Sequence, residues 1–143
     1  MQSHSGQVNF TIMEQLLLVD ALKRASAKRI TAVLPFYPYS RQDKKALPRE
    51  PISARLVADL FISAGADRIV SIDLHTQQIQ GFISQPFDHL TAMPLFVNYF
   101  KDKYKEPITI ISPDAGGVRR ATTFAKNMEA YVGFVHKKRD PKI

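Results

Sequence analysis

A chain of 143 residues, 45% apolar and 23% charged, is long enough for one domain burying roughly 68–70% of its unfolded surface, and its composition favours a globular class over disorder. The absence of cysteine excludes disulfide frameworks and thiolate metal sites. No apolar run approaches the ~20 residues of a membrane helix, and the polar opening MQSHSGQVNF is no secretory signal, so a cytoplasmic protein is expected. The net charge of +7 suits nucleic acid, anionic membrane or a phosphorylated small molecule alike.

In chain order, Met13, Leu16, Leu17 and Ala21 recur at helical spacing, and Ile30-Thr-Ala-Val-Leu-Pro35 then reads as a strand. Ile52, Leu56, Val57, Leu60, Phe61 and Ala64 mark a second helix, with Pro51 suited to its first turn and Gly65 to its left-handed end. A strand over Arg68-Ile-Val-Ser-Ile-Asp73 follows, then a helix through Leu95, Phe96, Tyr99 and Phe100. Next come a strand at Ile108-Thr-Ile-Ile-Ser112, a helix through Val118, Ala121, Ala125 and Met128, and a strand at Ala130-Tyr-Val-Gly-Phe-Val-His136. The strands are apolar almost throughout, as strands buried on both faces are. Alternation of this kind predicts an α/β fold, a parallel-rich sheet flanked by helices, forming a single domain over 1–143.

Ligands in such folds bind outside the carboxyl ends of the strands. Four polar motifs lie at expected strand ends and could share one rim. Phe36-Tyr-Pro-Tyr39 followed by Arg41-Gln-Asp-Lys-Lys45 offers aromatic surface and cations for a base and its phosphates, or is a solvated charged loop. Asp73 and His75, two residues apart, suit a divalent metal or proton transfer, or a capped strand end with a satisfied histidine. Ser112-Pro-Asp114-Ala-Gly-Gly117 combines glycines for close backbone approach with an acid that could hold a metal, or is an ordinary strand-to-helix turn capped by Asp114. His136-Lys-Lys-Arg139 follows the last strand, as a cationic site or a basic end.

Taken together, LPFYPYSRQDKK at 34–45, REPISARLVADL at 49–60, SIDLHTQQIQGF at 71–82, ISPDAGGVRRA and VHKKRDP resemble the ribose-phosphate diphosphokinases, also called phosphoribosyl pyrophosphate synthetases. The resemblance covers essentially the whole chain. It implies a phosphoribosyltransferase-like half-domain and transfer of the β,γ-diphosphoryl group of ATP to O1 of ribose 5-phosphate, with Mg²⁺. By position it makes Arg41 and Gln42 ATP contacts, His75 and Asp114 Mg²⁺-associated residues with Asp73 beside them, Lys137 the catalytic lysine and Arg139 its partner on the phosphates. Thr76, Ile83 and Ser84 depart from the family's usual residues.

The resemblance also implies an internal piece of a longer two-domain enzyme. Family chains carry an opening segment that supplies adenine contacts to a neighbouring subunit and a later loop that holds ribose 5-phosphate, and neither is recognisable here. The complete enzyme is expected to be a homo-oligomer, and the isolated chain is expected to be inactive. A non-catalytic regulatory relative is a competing reading, opposed by the presence of Lys137, Arg139, His75 and Asp114. A basic nucleic-acid-binding module would explain the charge but lacks a basic helix or recognised motif, so neither nucleic acid nor membrane is expected as a partner.

Overall fold

The computed structural model describes residues 7–136, which form two compact units, one reaching to Thr91 and the other beginning at Ala92. Helix α1 (Val8–Arg24) opens the first unit, followed by strand β1 (Thr31–Leu34), helix α2 (Ser53–Ala64), strand β2 (Arg68–Ile72), a 3₁₀ turn (Gln77–Phe82) and strand β3 (Phe87–Leu90). The second contains helix α3 (Met93–Lys103), strand β4 (Thr109–Ser112), a short 3₁₀ turn (Ala115–Gly117), helix α4 (Val118–Met128) and strand β5 (Tyr131–Phe134).

Every ladder is parallel, as expected, but the described strands pair as two sheets and not one: β1-β2-β3 in the first unit and β4-β5 in the second. The register of β1 against β2 is set where they begin. Asp67 donates its backbone N–H to the Ile30 carbonyl at 2.9 Å, and its carboxylate accepts the Ile30 N–H at 2.8 Å. Beyond that pair Thr31 faces Arg68 and Leu34 faces Ser71.

The core of the first unit joins Ile12 and Val19 of α1 and Ala54, Val57, Ala58 and Phe61 of α2 to alternate residues of the sheet, Ala32, Leu34 and Ile69. Leu74, Ile79 and Ile83 complete it beyond the end of β2. Burial alternates along β1 and β2, whereas apolar runs of this kind had suggested cover on both faces; Val33 is exposed, and Val70 and Ile72 are half-buried. Helix α2 starts at Ser53, so Pro51 stands just before the helix and not in its first turn. Its end is as expected. Gly65 adopts φ +117°, open to glycine at little cost, and sends the chain back so that the Ala66 N–H reaches the Phe61 carbonyl at 3.0 Å.

Strand β3 has no counterpart in the sequence reading. Its residues are Phe-Asp-His-Leu, with acid and imidazole at the centre, where β propensity is poor. Long-range contacts hold it: Arg68 Nη1 lies 2.6 Å from Asp88 Oδ2 across the β2–β3 ladder, and the Tyr37 and Phe87 rings meet at 5.9 Å. In the second unit the buried apolar residues are Val97, Ala121 and Ala125, with Phe100 and Phe124 edge to face at 6.1 Å. Ile111, Tyr131 and Phe134 are exposed there.

Candidate nucleotide and metal site

Strand β2 ends because Asp73 leaves the ladder. Its φ of +48° is left-handed, a conformation aspartate tolerates better than most residues, while its N–H still reaches the Leu90 carbonyl at 2.9 Å. The next residue, Leu74, is buried in the core, and its neighbours Asp73 and His75 are both exposed. A buried leucine between two exposed donors fixes a carboxylate and an imidazole on one turn. The Thr91 hydroxyl donates to Asp73 Oδ1 at 2.9 Å, and the Leu74 N–H donates to His89 Nε2 at 3.0 Å.

The next residue joins this turn to the loop after β1. Thr76 Oγ1 donates to Asp43 Oδ2 at 2.6 Å, so the Arg41–Lys45 segment is tied to the Asp73–His75 turn at the carboxyl ends of two adjacent parallel strands. Sequence reasoning treated Thr76 only as a departure from the family and Asp43 as part of a charged run, and no local pattern links residues 33 apart. Arg41, Gln42, Lys44 and Lys45 are exposed, and none of the three cations forms an ion pair among the described residues. Gln42 also anchors the loop through its backbone, donating to the Tyr39 carbonyl at 2.9 Å and accepting the Ala54 N–H at 3.1 Å.

The aromatic surface expected before this loop is smaller than the sequence suggested. Tyr37 is buried, donates its hydroxyl to the Ala54 carbonyl at 2.9 Å and packs on Phe87, and Pro38 is buried beside it. Burial foremost, and then the negative charge of Asp59, push the Tyr37 hydroxyl above the ordinary phenol range. Phe36 is the exposed ring of the segment, and Tyr39, half-buried at φ +56°, donates to Asn9 Oδ1.

Glu50 closes the loop on its far side. Its carboxylate accepts the N–H groups of Leu47 and Ala46, each at 2.8 Å, and these bonds hold it below the ordinary value of 4.5. A carboxylate lowered by folding contributes fully above its unfolded value, and the contribution is lost as pH falls through the lowered folded value. Amide exchange measured against intrinsic rates should therefore show Ala46 and Leu47 protected near neutrality and released on acidification below 4.5, and Glu50→Ala, which removes the accepting oxygen, should release both at neutral pH. Protection unchanged in that variant would show that the loop is held by other means.

In the second unit Asp114 stands beyond β4. Its Oδ1 accepts the Gly117 N–H at 2.9 Å, and the buried Ser112 hydroxyl donates to the Asp114 carbonyl at 2.7 Å, so Asp114 caps the turn into α4. Arg119 and Arg120 are exposed on the first turn of that helix. Lys137 and Arg139 lie outside the described residues, which end at His136 just beyond β5.

Among the described residues no group of three or more histidine, cysteine or acidic side chains is gathered as a ready metal cage. Asp73 and His75 are both exposed on one anchored turn.

The sequence pattern of the N-terminal domain of ribose phosphate pyrophosphokinase matches residues 1–65. A ribose-phosphate pyrophosphokinase of Corynebacterium efficiens is 60% identical over 99% of this chain, and one of Mycobacterium tuberculosis is 54% identical over 100% of it. Across its length the chain is similar in sequence to part of these ribose-phosphate pyrophosphokinases. The crystal structure of the phosphoribosylpyrophosphate synthetase of Mycobacterium smegmatis superposes with a TM-score of 0.90 at 57% identity, over 97% of this chain, so the parallel α/β architecture is shared. The chain spans 44% of the length of these two pyrophosphokinases and 47% of that synthetase. No helix among the described residues is long and apolar enough to cross a membrane.

Proposed function

We propose that this chain carries the nucleotide- and metal-binding part of an enzyme that transfers the β,γ-diphosphoryl group of ATP to ribose 5-phosphate, giving phosphoribosyl diphosphate and AMP. The observation that carries the reading is the Thr76–Asp43 hydrogen bond, which couples the loop of Arg41 and Gln42 to the turn of Asp73 and His75. Arg41 and Gln42 hold the nucleotide; Asp73 and His75, with Asp114, are the Mg²⁺-associated residues. When bound, Mg²⁺ neutralises charge on the phosphate oxygens. Lys137 and Arg139 supply fixed positive charge where charge builds on the transferred group, stabilising the transition state more than the ground state. On this reading both units form one phosphoribosyltransferase-type half-domain of a cytoplasmic homo-oligomer.

Calorimetric titration of the chain with Mg-ATP tests the site. The wild type is expected to bind, and His75→Ala to bind at least about tenfold more weakly, the scale of loss seen when metal-supporting residues are removed. Equal affinities would overturn the metal assignment, and no binding by the wild type would overturn the nucleotide assignment.

A further inference from the structure

Two side chains reach the Asp73–His75 turn from β3 and the residue just beyond it, His89 and Thr91. Ile69 and Asp73 send their N–H groups to β3, at the Pro86 and Leu90 carbonyls, so an extended Leu74 would send its own away from β3; the left-handed Asp73 turns the Leu74 N–H to the β3 side, beyond the last register pair of Ile72 and Leu90. A backbone donor beside a buried leucine needs a partner, and His89 Nε2 provides one at 3.0 Å. Thr91, two residues on, donates to Asp73 Oδ1 at 2.9 Å and fixes the carboxylate from the same side.

We propose that His89 is a positioning residue: its Nε2 holds the Leu74 amide, and so sets how Asp73 and His75 are presented to a divalent cation. The inference rests on the reading of that turn as a metal site. A nitrogen that accepts an N–H carries no proton, so neutral His89 bears its proton on Nδ1. His89 is half-buried and meets the turn at the Leu74 amide, so it acts through the backbone between the two donors. Glutamine can place its amide oxygen near the site of Nε2 and accept the same N–H, whereas alanine leaves the donor without a partner.

The ¹⁵N-labelled chain provides two readouts, exchange of the Leu74 amide and Mn²⁺ affinity followed by electron paramagnetic resonance in the presence of ATP. His89→Ala is expected to speed Leu74 exchange and to weaken Mn²⁺ binding, each by about tenfold. Ile69 and Val70 should remain protected, His89→Gln should restore both quantities, and the imidazole ¹⁵N shifts of the wild type should report the Nδ1–H tautomer. Wild-type exchange in His89→Ala would overturn the proposal. So would loss of protection throughout β2, or failure of glutamine to restore the Leu74 amide. If the wild type does not bind Mn²⁺, or His75→Ala binds it equally well, the metal reading fails, and the proposal that His89 sets the donors fails with it even where Leu74 exchange responds.

Discussion

Leu74→Ala is expected to lower the stability of the chain by about 2–5 kcal/mol in denaturant titration, because it deletes a buried side chain from the core and leaves a cavity. Leu74 is 5% exposed and packs with the cluster that includes Phe61, Ile69 and Ile79. The same change should weaken Mn²⁺ binding under conditions where the variant is still folded by circular dichroism, since the anchor lies between the two proposed donors. Leu74→Met keeps the volume and should cost less than about 1.5 kcal/mol while retaining the metal response. A loss below about 1 kcal/mol in Leu74→Ala would show that the site collapses freely around the deletion, and that the turn is not seated by this side chain.

The Asp-Leu-His turn shows where sequence reasoning succeeds and stops. The two-residue spacing of Asp73 and His75 at the end of an apolar run located the turn correctly, and the periodicities placed four helices and four strands close to their observed spans. What the spacing did not reveal was that Leu74 is the buried residue and that the ladder ends through a left-handed aspartate. The contacts that complete the site are non-local: His89 reaches Leu74 across 15 residues, and Thr76 reaches Asp43 across 33. Strand β3 was invisible for a related reason, since its stability comes from Arg68 on the neighbouring strand and from Tyr37, not from its own four residues.

Tyr37 shows the opposite error. A ring beside charged residues reads as binding surface, yet the position of the Ala54 carbonyl in α2 makes it a core residue with a satisfied hydroxyl. Likewise the apolar strands implied cover on two faces, while Val33, Ile111 and Tyr131 are exposed. Strand composition records what a strand can bury, and this chain packs only part of it. Asp114 had both a capping and a metal reading; its hydrogen bond to Gly117 establishes the cap.

That turn yields the second large expected effect. Gly117 has φ −85°, which any residue adopts, so its requirement for glycine is steric: a Cβ there would stand 2.6 Å from Ser112 Oγ. Ser112 is 1% exposed, and its hydroxyl is committed to the Asp114 carbonyl at 2.7 Å. An alanine must therefore either displace the backbone or turn the hydroxyl away and break a buried hydrogen bond, costing about 1–3 kcal/mol. Gly116→Ala is the control, because its Cβ would meet only Asp114 Oδ1, at 3.3 Å. Ser112→Ala removes the obstructing oxygen, so the double variant Ser112→Ala/Gly117→Ala should be more stable than the sum of the single losses, with a coupling of about 1 kcal/mol in denaturant titration. Additive losses would mean that the two residues do not meet. Because the Gly117 N–H is also the donor to Asp114, a coupled response would tie the packing of this turn to the placement of the carboxylate proposed to face the metal.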